Sequence, residues 1–236
     1  MTVIGSGLLA KSFAATTFSR NCLVLASGVS NSNEHLEAEF KREADTIETA
    51  MRAHPSSRVI YFSTCSVLQK THTPYIRHKL EMESRVAAAA SSFQIYRLPQ
   101  VVGPTRNLTL VSYFVESVLL RRKVAVQRHA QRNLVDVGDV SRLIHQLVER
   151  DIGVNTTQSL AAAYSVHVIH VLQAIAEILD IEAQFDLVDA GESYDLPTAF
   201  MRQHFGPDDA LMKPGYWQAV LRRHVPAMAS KIRSAA

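Results

Sequence analysis

The chain has 236 residues, of which 47% are hydrophobic and 20% charged, with a formal net charge of +3 and a pI of about 8.9. This composition is typical of a globular protein, and its mild positive charge suits anionic small molecules rather than nucleic acid. No apolar run reaches the roughly 18 residues that span a bilayer. The amino terminus lacks the basic region of a signal peptide and two cysteines cannot form a disulfide framework, so we expect a cytoplasmic protein.

Short apolar runs alternate with longer helical patterns through the first hundred residues. The predicted strands are TVIG, CLVLAS, RVIYFST and FQIYRLP, and the predicted helices are LLAKSFAATTF, NEHLEAEFKREADTIETAMRAH and PYIRHKLEMESRVAAAAS. Asn33 is the expected N-cap of the second helix, and Pro74 lies in the first turn of the third. This alternation predicts an α/β fold with parallel strands, a doubly wound sheet and ligands at the carboxyl ends of the strands.

The pattern changes after Pro104. We predict helices near 109–121 and 138–149 and over SVHVIHVLQAIAEILD and GYWQAVLRRHV, and strands over VAVQ, RNLVDV, GVNTTQ and AQFDLVD. No linker is visible. We therefore expect a Rossmann-like core over 1–104 and a mixed region over 105–236 that partly completes the sheet and partly forms a small substrate lobe.

A glycine-rich turn follows the first predicted strand. The sequence GSGLLA has the pattern G-x-G-x-x-A, in which Gly5 makes the turn, Gly7 lets a pyrophosphate approach the backbone and Ala10 permits close helix packing. The residues expected to bind the dinucleotide here are Gly5, Ser6, Gly7, Leu8 and Leu9. The acidic residue that usually binds the adenosine ribose is missing, and Arg20 could instead meet a 2′-phosphate, which slightly favours NADP over NAD. The alternative is a tight turn without a ligand.

Six segments in order resemble the extended short-chain dehydrogenase/reductase family of NAD(P)-dependent sugar-nucleotide epimerases, dehydratases and reductases. They are GSGLLA (5–10), LASGVSNS (25–32), FSTCSV (62–67), YIRHK (75–79), RLPQVVGP (97–104) and RNLVDVGDV (132–140). The resemblance covers most of the chain and implies a Rossmann-like fold.

Tyr75 and Lys79 are four residues apart and therefore share a helix face. A cation near the phenol is expected to lower the pKa of Tyr75 toward working pH, so that Tyr75 can exchange a proton with a substrate oxygen. The resemblance implies that Lys79 also bonds the nicotinamide ribose and that Thr64 donates to the same substrate oxygen. Thr64 could alternatively cap its own backbone at the strand end.

The resemblance implies further contacts. Residues expected beside the cofactor are Gly28, Val29 and Ser30 on the diphosphate side and Pro99 and Gln100 on the nicotinamide side. Residues expected beside the substrate are Cys65, Ser66, Asn107 and Arg132. Arg132 could instead form a surface ion pair with Asp136 or Asp139. Cys65 could be a reactive thiol or a small buried residue.

Two departures from the family stand out. Dehydratases carry Asp-Glu where this chain has Cys65 and Ser66, which argues against a 4,6-dehydratase. The second and third strands of the usual order are missing, which removes one edge of the sheet, and the loop between Thr64 and Tyr75 is short.

The sequence thus predicts an enzyme that transfers hydride to or from a nucleotide-linked sugar, with a keto-sugar-nucleotide reductase preferred over an epimerase. A non-catalytic dinucleotide-binding sensor or scaffold is the alternative from another class. His167 and His170 have no evident third ligand, so we expect no metal site. The resemblance implies a homodimer through the helix that carries Tyr75 and the helix beside it.

Overall fold

The computed structural model describes residues 1–105 and 109–234. Its strands are β1 Thr2–Ile4, β2 Cys22–Leu25, β3 Arg58–Thr64, β4 Phe93–Leu98, β5 Gln100–Val102, β6 Val124–Gln127, β7 Gln131–Arg132, β8 Leu134–Asp136, β9 Thr156–Ser159, β10 Val166–His167 and β11 Phe185–Val188. Its helices are α1 Leu8–Ser12, α2 Glu37–Ala53, α3 Pro74–Ala89, α4 Leu110–Leu119, α5 Val137–Glu149, α6 Val168–Leu179, α7 Ala199–His204 and α8 Tyr216–Arg233, with 3₁₀ turns at Cys65–Leu68 and Ala210–Met212.

Two compact units share the chain. The first unit comprises Met1–Leu98 and Val137–Leu160, and the second comprises Pro99–Asp136 and Ala161–Ala236. The chain therefore leaves the first unit at the end of β4, returns to it for α5 and β9, and leaves it again.

The first unit is built on a parallel five-stranded sheet with the order β1-β2-β3-β4-β9. β1 pairs directly with β2 and forms the edge of this sheet, and among the described residues no strand extends the sheet beyond it, as predicted. All five strands run the same way, so the turns that follow them lie along one edge of the sheet. The Rossmann-like α/β fold predicted from the sequence is confirmed.

Helices cover both faces of this sheet. On one face α2 and α3 pack together over the buried side chains of alternate strand residues, among them Leu23, Tyr61 and Ile95. On the other face α1 packs against α5, and Phe13 contacts Phe62, which points away from the α2 side. This arrangement is doubly wound, because helices cover the side chains on both faces of the sheet.

The second unit contains three strand pairs and a helical layer. β5 pairs with β8 and β6 with β11 in parallel, whereas β7 and β10 are antiparallel. Helices α4, α6 and α8 pack against one another. A capping box between Thr109 and Ser112 begins α4, and α8 continues through Pro226, well beyond the predicted GYWQAVLRRHV segment.

Two predicted helix boundaries are wrong. Helix α1 is only five residues long. Helix α2 begins at Glu37 rather than near Asn33, because the Asn31 side chain accepts a bond from the Asn33 amide and the Glu34 carboxylate accepts from the next two amides. These local bonds form a turn ahead of the helix. Among helices in the described ranges, none is long and apolar enough to cross a membrane.

Candidate active site

The glycine turn follows β1 at the carboxyl edge of the first unit's sheet. Gly5 has φ +128°, and a Cβ built there would lie 2.3 Å from the Ala26 carbonyl oxygen. Gly5 therefore cannot carry a side chain without moving the backbone. A Cβ at Gly7 would meet no atom of the described residues within 4 Å, so the backbone there stays open to a ligand. Ser6 and Gly7 are exposed, and Leu8 and Leu9 are half-buried.

This turn fits the pyrophosphate of a dinucleotide. The open space at Gly7 adjoins the first backbone N–H groups of α1. N–H groups in the first turn of a helix have no acceptor within the helix and can bind a ligand. Because α1 is short, the contribution comes from these N–H groups rather than from a long helix dipole. The residues predicted for this contact are thus placed together.

Thr64 and Tyr75 meet at the end of β3. Thr64 Oγ1 accepts a hydrogen bond from the Ser66 amide at 3.1 Å, and the Thr64 side chain lowers the pKa of Tyr75 in part. The backbone cap considered for Thr64 is therefore present, and its donation to a substrate oxygen stays a prediction. The amide occupies one acceptor position of the hydroxyl and leaves its proton available for donation.

Tyr75 and Lys79 occupy the same face of α3. The helix begins at Pro74, with the Thr73 side chain as its cap, so Tyr75 lies in the first turn. Lys79 Nζ is 5.9 Å from the centre of the Tyr75 ring. Tyr75 is 8% exposed and Lys79 3% exposed. The short loop after Thr64 thus places the phenol and the ammonium side by side in a nearly dry environment.

Glu43 of α2 is a member of this cluster that the sequence did not suggest. Its carboxylate is fully buried, and Oε1 accepts from Lys79 Nζ at 2.8 Å and from Tyr61 Oη at 2.9 Å. Oε2 accepts from the Val29 amide at 2.7 Å and lies 3.0 Å from His78 Nε2. Burial alone would raise the pKa of Glu43, but the hydrogen bond from His78 and the charge and hydrogen bond of Lys79 outweigh burial and lower the pKa to about 2.

The expected effect of Lys79 on Tyr75 is wrong for this chain. Burial raises the pKa of Tyr75 to about 12, the hydrogen bond from Thr64 lowers it in part, and the Glu43 charge raises it further. Burial is the largest cause of the raised pKa, and the Glu43 carboxylate, which pairs with Lys79, adds to it. Tyr75 is therefore a phenol, not a phenolate, at neutral pH.

The loop after β2 lies directly over this ion pair. A Cβ at Gly28 would come 2.6 Å from Lys79 Nζ and 2.9 Å from Glu43 Oε1. Val29 is buried and its amide is held by Glu43, whereas Ser30 is exposed. The loop predicted to cover the cofactor is thus anchored to the residues beside Tyr75.

The Cys65 side chain is buried. It is 1% exposed, its thiol donates to the Arg97 carbonyl at 3.3 Å, and burial raises its pKa to about 12. The 3₁₀ turn that follows Thr64 directs this side chain into the core, which favours the small buried residue over the reactive thiol, and a substrate contact of Cys65 stays a prediction. Ser66 is half-buried, and its amide is bonded to Thr64.

Arg20 lies at the opposite edge of the sheet from the glycine turn. It precedes β2, whereas the turn follows the parallel β1, and its guanidinium pairs with Asp151. Arg58, at the start of β3, pairs with the same carboxylate at 2.8 Å. The structure therefore does not bring Arg20 to the cofactor turn.

The remaining predicted site residues belong to the second unit. Pro99 and Gln100 follow β4, and the Gln100 amide donates to the Asn133 carbonyl as β5 begins. Arg132 is half-buried and donates to the Gln131 carbonyl at 2.7 Å. Asn107 lies outside the described residues.

The two carboxylates considered as partners for Arg132 pair with other residues. The buried Asp136 carboxylate accepts from Arg223 at 2.9 Å and from His224 at 2.7 Å. Asp139 pairs with Arg142.

The two histidines considered for a metal lie edge to face. The rings of His167 and His170 are 6.1 Å apart, and His167 is bonded to Gln131. Within residues 1–105 and 109–234, no group of three potential metal ligands is arranged around a common point.

A parallel sheet with a glycine turn at its carboxyl edge and a neighbouring Thr-Tyr-Lys cluster defines a dinucleotide-binding protein of the Rossmann type. Residues 21–162 match the model of the NAD dependent epimerase/dehydratase family. The chain belongs to that family. A comparison with curated protein sequences gives no significant match.

Solved structures share the fold. RMD from Pseudomonas aeruginosa complexed with NADPH has a TM-score of 0.76 at 14% identity, covering 98% of each chain. The Bordetella bronchiseptica enzyme WbmH in complex with NAD+ has a TM-score of 0.70 at 18% identity, covering 87% of this chain and 74% of that chain. UDP-glucose 4-epimerase from Thermus thermophilus, a complex with NAD, has a TM-score of 0.67 at 15% identity, covering 94% of this chain and 83% of that chain.

Proposed function

We propose that this protein is an NAD(P)H-dependent reductase of a keto-sugar nucleotide in which Tyr75 is the general acid. The observation that carries the proposal is the buried Tyr75 ring, which lies 5.9 Å from Lys79 Nζ on the same helix face, near Thr64 at the carboxyl end of β3. The family supports a nicotinamide cofactor and a sugar-nucleotide substrate, and the neighbouring structures hold NADPH or NAD.

Each residue of the cluster has a defined task in this reaction. The cofactor, when bound, supplies the hydride. Tyr75 Oη gives its proton to the substrate oxygen, and Thr64 Oγ1 donates a hydrogen bond to the same oxygen. Two of the three Lys79 N–H groups reach Glu43 and Tyr61, and the third is the one that we assign to the nicotinamide ribose.

Burial raises the pKa of Tyr75 to about 12, so Tyr75 holds its proton at neutral pH, which is the state from which a general acid acts. We propose the reductase as the first candidate and the epimerase of the same family as the alternative.

The cofactor could be NADPH or NADH, because the reason for preferring NADPH was Arg20, and Arg20 pairs with Asp151. On the substrate side, Arg132 and Asn107 are our candidates for the phosphates of the nucleotide, on the resemblance alone. Guanidinium groups suit a phosphate because they can donate two parallel hydrogen bonds.

The experiment compares Tyr75→Phe with Tyr113→Phe, a matched change at a 41% exposed tyrosine of α4. Binding of NADH and NADPH is measured by fluorescence, and turnover is measured with a panel of keto-sugar nucleotides. We expect Tyr75→Phe to lower turnover by at least about 100-fold and to leave cofactor binding intact, while Tyr113→Phe changes neither. Unchanged turnover in Tyr75→Phe would refute the role of Tyr75.

Turnover by the parent protein decides between an enzyme and a sensor. Cofactor binding without turnover of any keto-sugar nucleotide would favour the non-catalytic dinucleotide sensor. Interconversion of two sugar nucleotides without net use of reduced cofactor would identify an epimerase.

We further propose a cytoplasmic homodimer with its interface on α2 and α3. The exposed side of α2 and the small residues at the end of α3 support a close helix-to-helix contact. Light scattering after size exclusion is the test, and a monomer at micromolar concentration would exclude the dimer. The two buried free cysteines are consistent with a reducing compartment.

A further inference from the structure

A fully buried carboxylate needs an explanation beyond stability. Glu43 lies among apolar residues on the inner side of α2, with Phe40 and Ile47 one turn away on either side. Burying a charge is unfavourable unless it is paired and hydrogen-bonded, and even a paired buried charge often adds no stability over an apolar side chain of the same size. A carboxylate at this position therefore points to a function.

The four donors to Glu43 come from three different elements. The Val29 amide belongs to the loop after β2, Tyr61 belongs to β3, and His78 and Lys79 belong to α3. Because an ionised carboxylate can only accept, His78 must donate through Nε2. Each oxygen therefore has two donors, and one side chain joins the proposed cofactor loop to the helix of Tyr75.

The two carboxylate oxygens of Glu43 hold different parts of the cluster. Oε1 holds the ammonium of Lys79, which lies 5.9 Å from the Tyr75 ring centre, and Oε2 holds the backbone at Val29. The loop can approach this closely because Gly28 has no side chain, since a Cβ there would collide with both members of the ion pair.

We propose that Glu43 is a positioning residue for the reductase reaction: its carboxylate fixes Lys79 beside Tyr75 and sets the net charge that the phenol faces. The inference deepens the proposed function and rests on it for the role of Tyr75. Glu43 itself contacts neither Tyr75 nor the reacting atoms; it acts through Lys79.

The groups that face Tyr75 from each element agree with this role. From β3, Thr64 lowers the pKa of Tyr75 and Tyr61 interacts with it electrostatically. Lys79 Nζ lies 5.9 Å from its ring centre on the same helix, and the Glu43 charge on α2 raises its pKa. Glu83, farther along α3, is paired with Arg97 at 2.6 Å. Removal of the Glu43 charge leaves the Lys79 cation unmatched beside the phenol and should lower the pKa of Tyr75.

The experiment follows tyrosine ionisation directly and needs no substrate. Tyrosine labelled with carbon-13 at Cζ gives a separate nuclear magnetic resonance signal for each of the seven tyrosines, and loss of a signal in Tyr75→Phe assigns Tyr75. The pH dependence of this signal is compared in the parent, Glu43→Gln, Glu43→Asp and the control Glu39→Gln. Glu39 is on the same helix, and its half-exposed side chain pairs with Arg42.

We expect the Tyr75 midpoint to fall by about one pH unit or more in Glu43→Gln and to stay unchanged in Glu39→Gln. Glu43→Asp keeps the charge but shortens the side chain, so it should lose stability and keep the midpoint near that of the parent. If the parent signal does not reach its midpoint while the protein is folded, a midpoint reached in Glu43→Gln still shows the shift.

A folded Glu43→Gln protein with an unmoved Tyr75 signal would overturn the inference and leave Glu43 a structural residue. An equal shift in Glu43→Asp would also overturn it, because the charge is then not the cause. Failure of the parent to bind NADH or NADPH would instead contradict the proposed function, since the tyrosine signal is measured without cofactor.

Discussion

Lys79 Nζ lies 2.8 Å from Glu43 Oε1, and the exposed fractions of the two side chains are 4% and 0%. Removing one partner of such a pair leaves a buried charge without compensation. Lys79→Met should therefore lower the free energy of unfolding by about 3–5 kcal/mol, measured by urea denaturation.

A double variant separates charge from packing in this prediction. Lys79→Met combined with Glu43→Gln removes both charges and should recover part of the loss. Lys41→Met, at an exposed ion pair with Asp45 on α2, is the control and should have little effect. A Lys79→Met protein as stable as the parent would show that Glu43 is not held as an ion in the folded state.

The low pKa of Glu43 makes stability depend on pH. The pKa is about 2 in the folded protein and 4.5 as the ordinary value, so the contribution is present above pH 4.5 and is lost as the pH falls toward 2. Between about pH 6 and about pH 3 the parent should lose roughly 2 kcal/mol more than Glu43→Gln does. Urea denaturation at both pH values gives the difference, and equal losses in the two proteins would contradict the assignment.

The buried thiols give a test of the site boundary. Cys65 and Cys22 are both fully buried, and burial raises the pKa of each. Reaction with iodoacetamide in the folded protein should be at least about 100-fold slower than in the urea-unfolded chain. Rapid labelling of Cys65, located by mass spectrometry, would show that its thiol is accessible and would support the predicted substrate contact.

The regular part of this fold could be predicted because hydrophobic periodicity is local. The core strands and the helix of Tyr75 and Lys79 were found where apolar runs and caps occur. Glu43 was missed because its partners lie 14 to 36 residues away. A signal was available, however: Glu43 falls on the apolar face of its own helix, between Phe40 and Ile47.

Arg20 shows how a missing element misleads motif spacing. In a complete family member the position about 20 residues after the glycine turn ends a second strand, at the edge where ligands bind. Here α1 leads directly to the strand that pairs with β1, so Arg20 comes before β2 and lies at the amino edge. The spacing between two motif residues predicts their positions in the fold only when the intervening strands and helices are present.

The glycine turn permits a matched pair of variants that separate folding from cofactor binding. Gly5 has φ +128° and no space for a Cβ, so Gly5→Ala should lower stability by about 2 kcal/mol or more. Gly7 has φ −77° and open space around a Cβ among the described residues, so Gly7→Ala should fold as stably as the parent.

The same methyl group at Gly7 lies where the pyrophosphate is expected, so Gly7→Ala should weaken NADH or NADPH binding by at least about tenfold. Gly206→Ala, at another open glycine, is the control and should change neither stability nor binding. Fluorescence titration and thermal unfolding of the three variants provide the measurements. Full cofactor affinity in Gly7→Ala would place the pyrophosphate elsewhere, whereas its loss with unchanged stability would locate the dinucleotide on this turn.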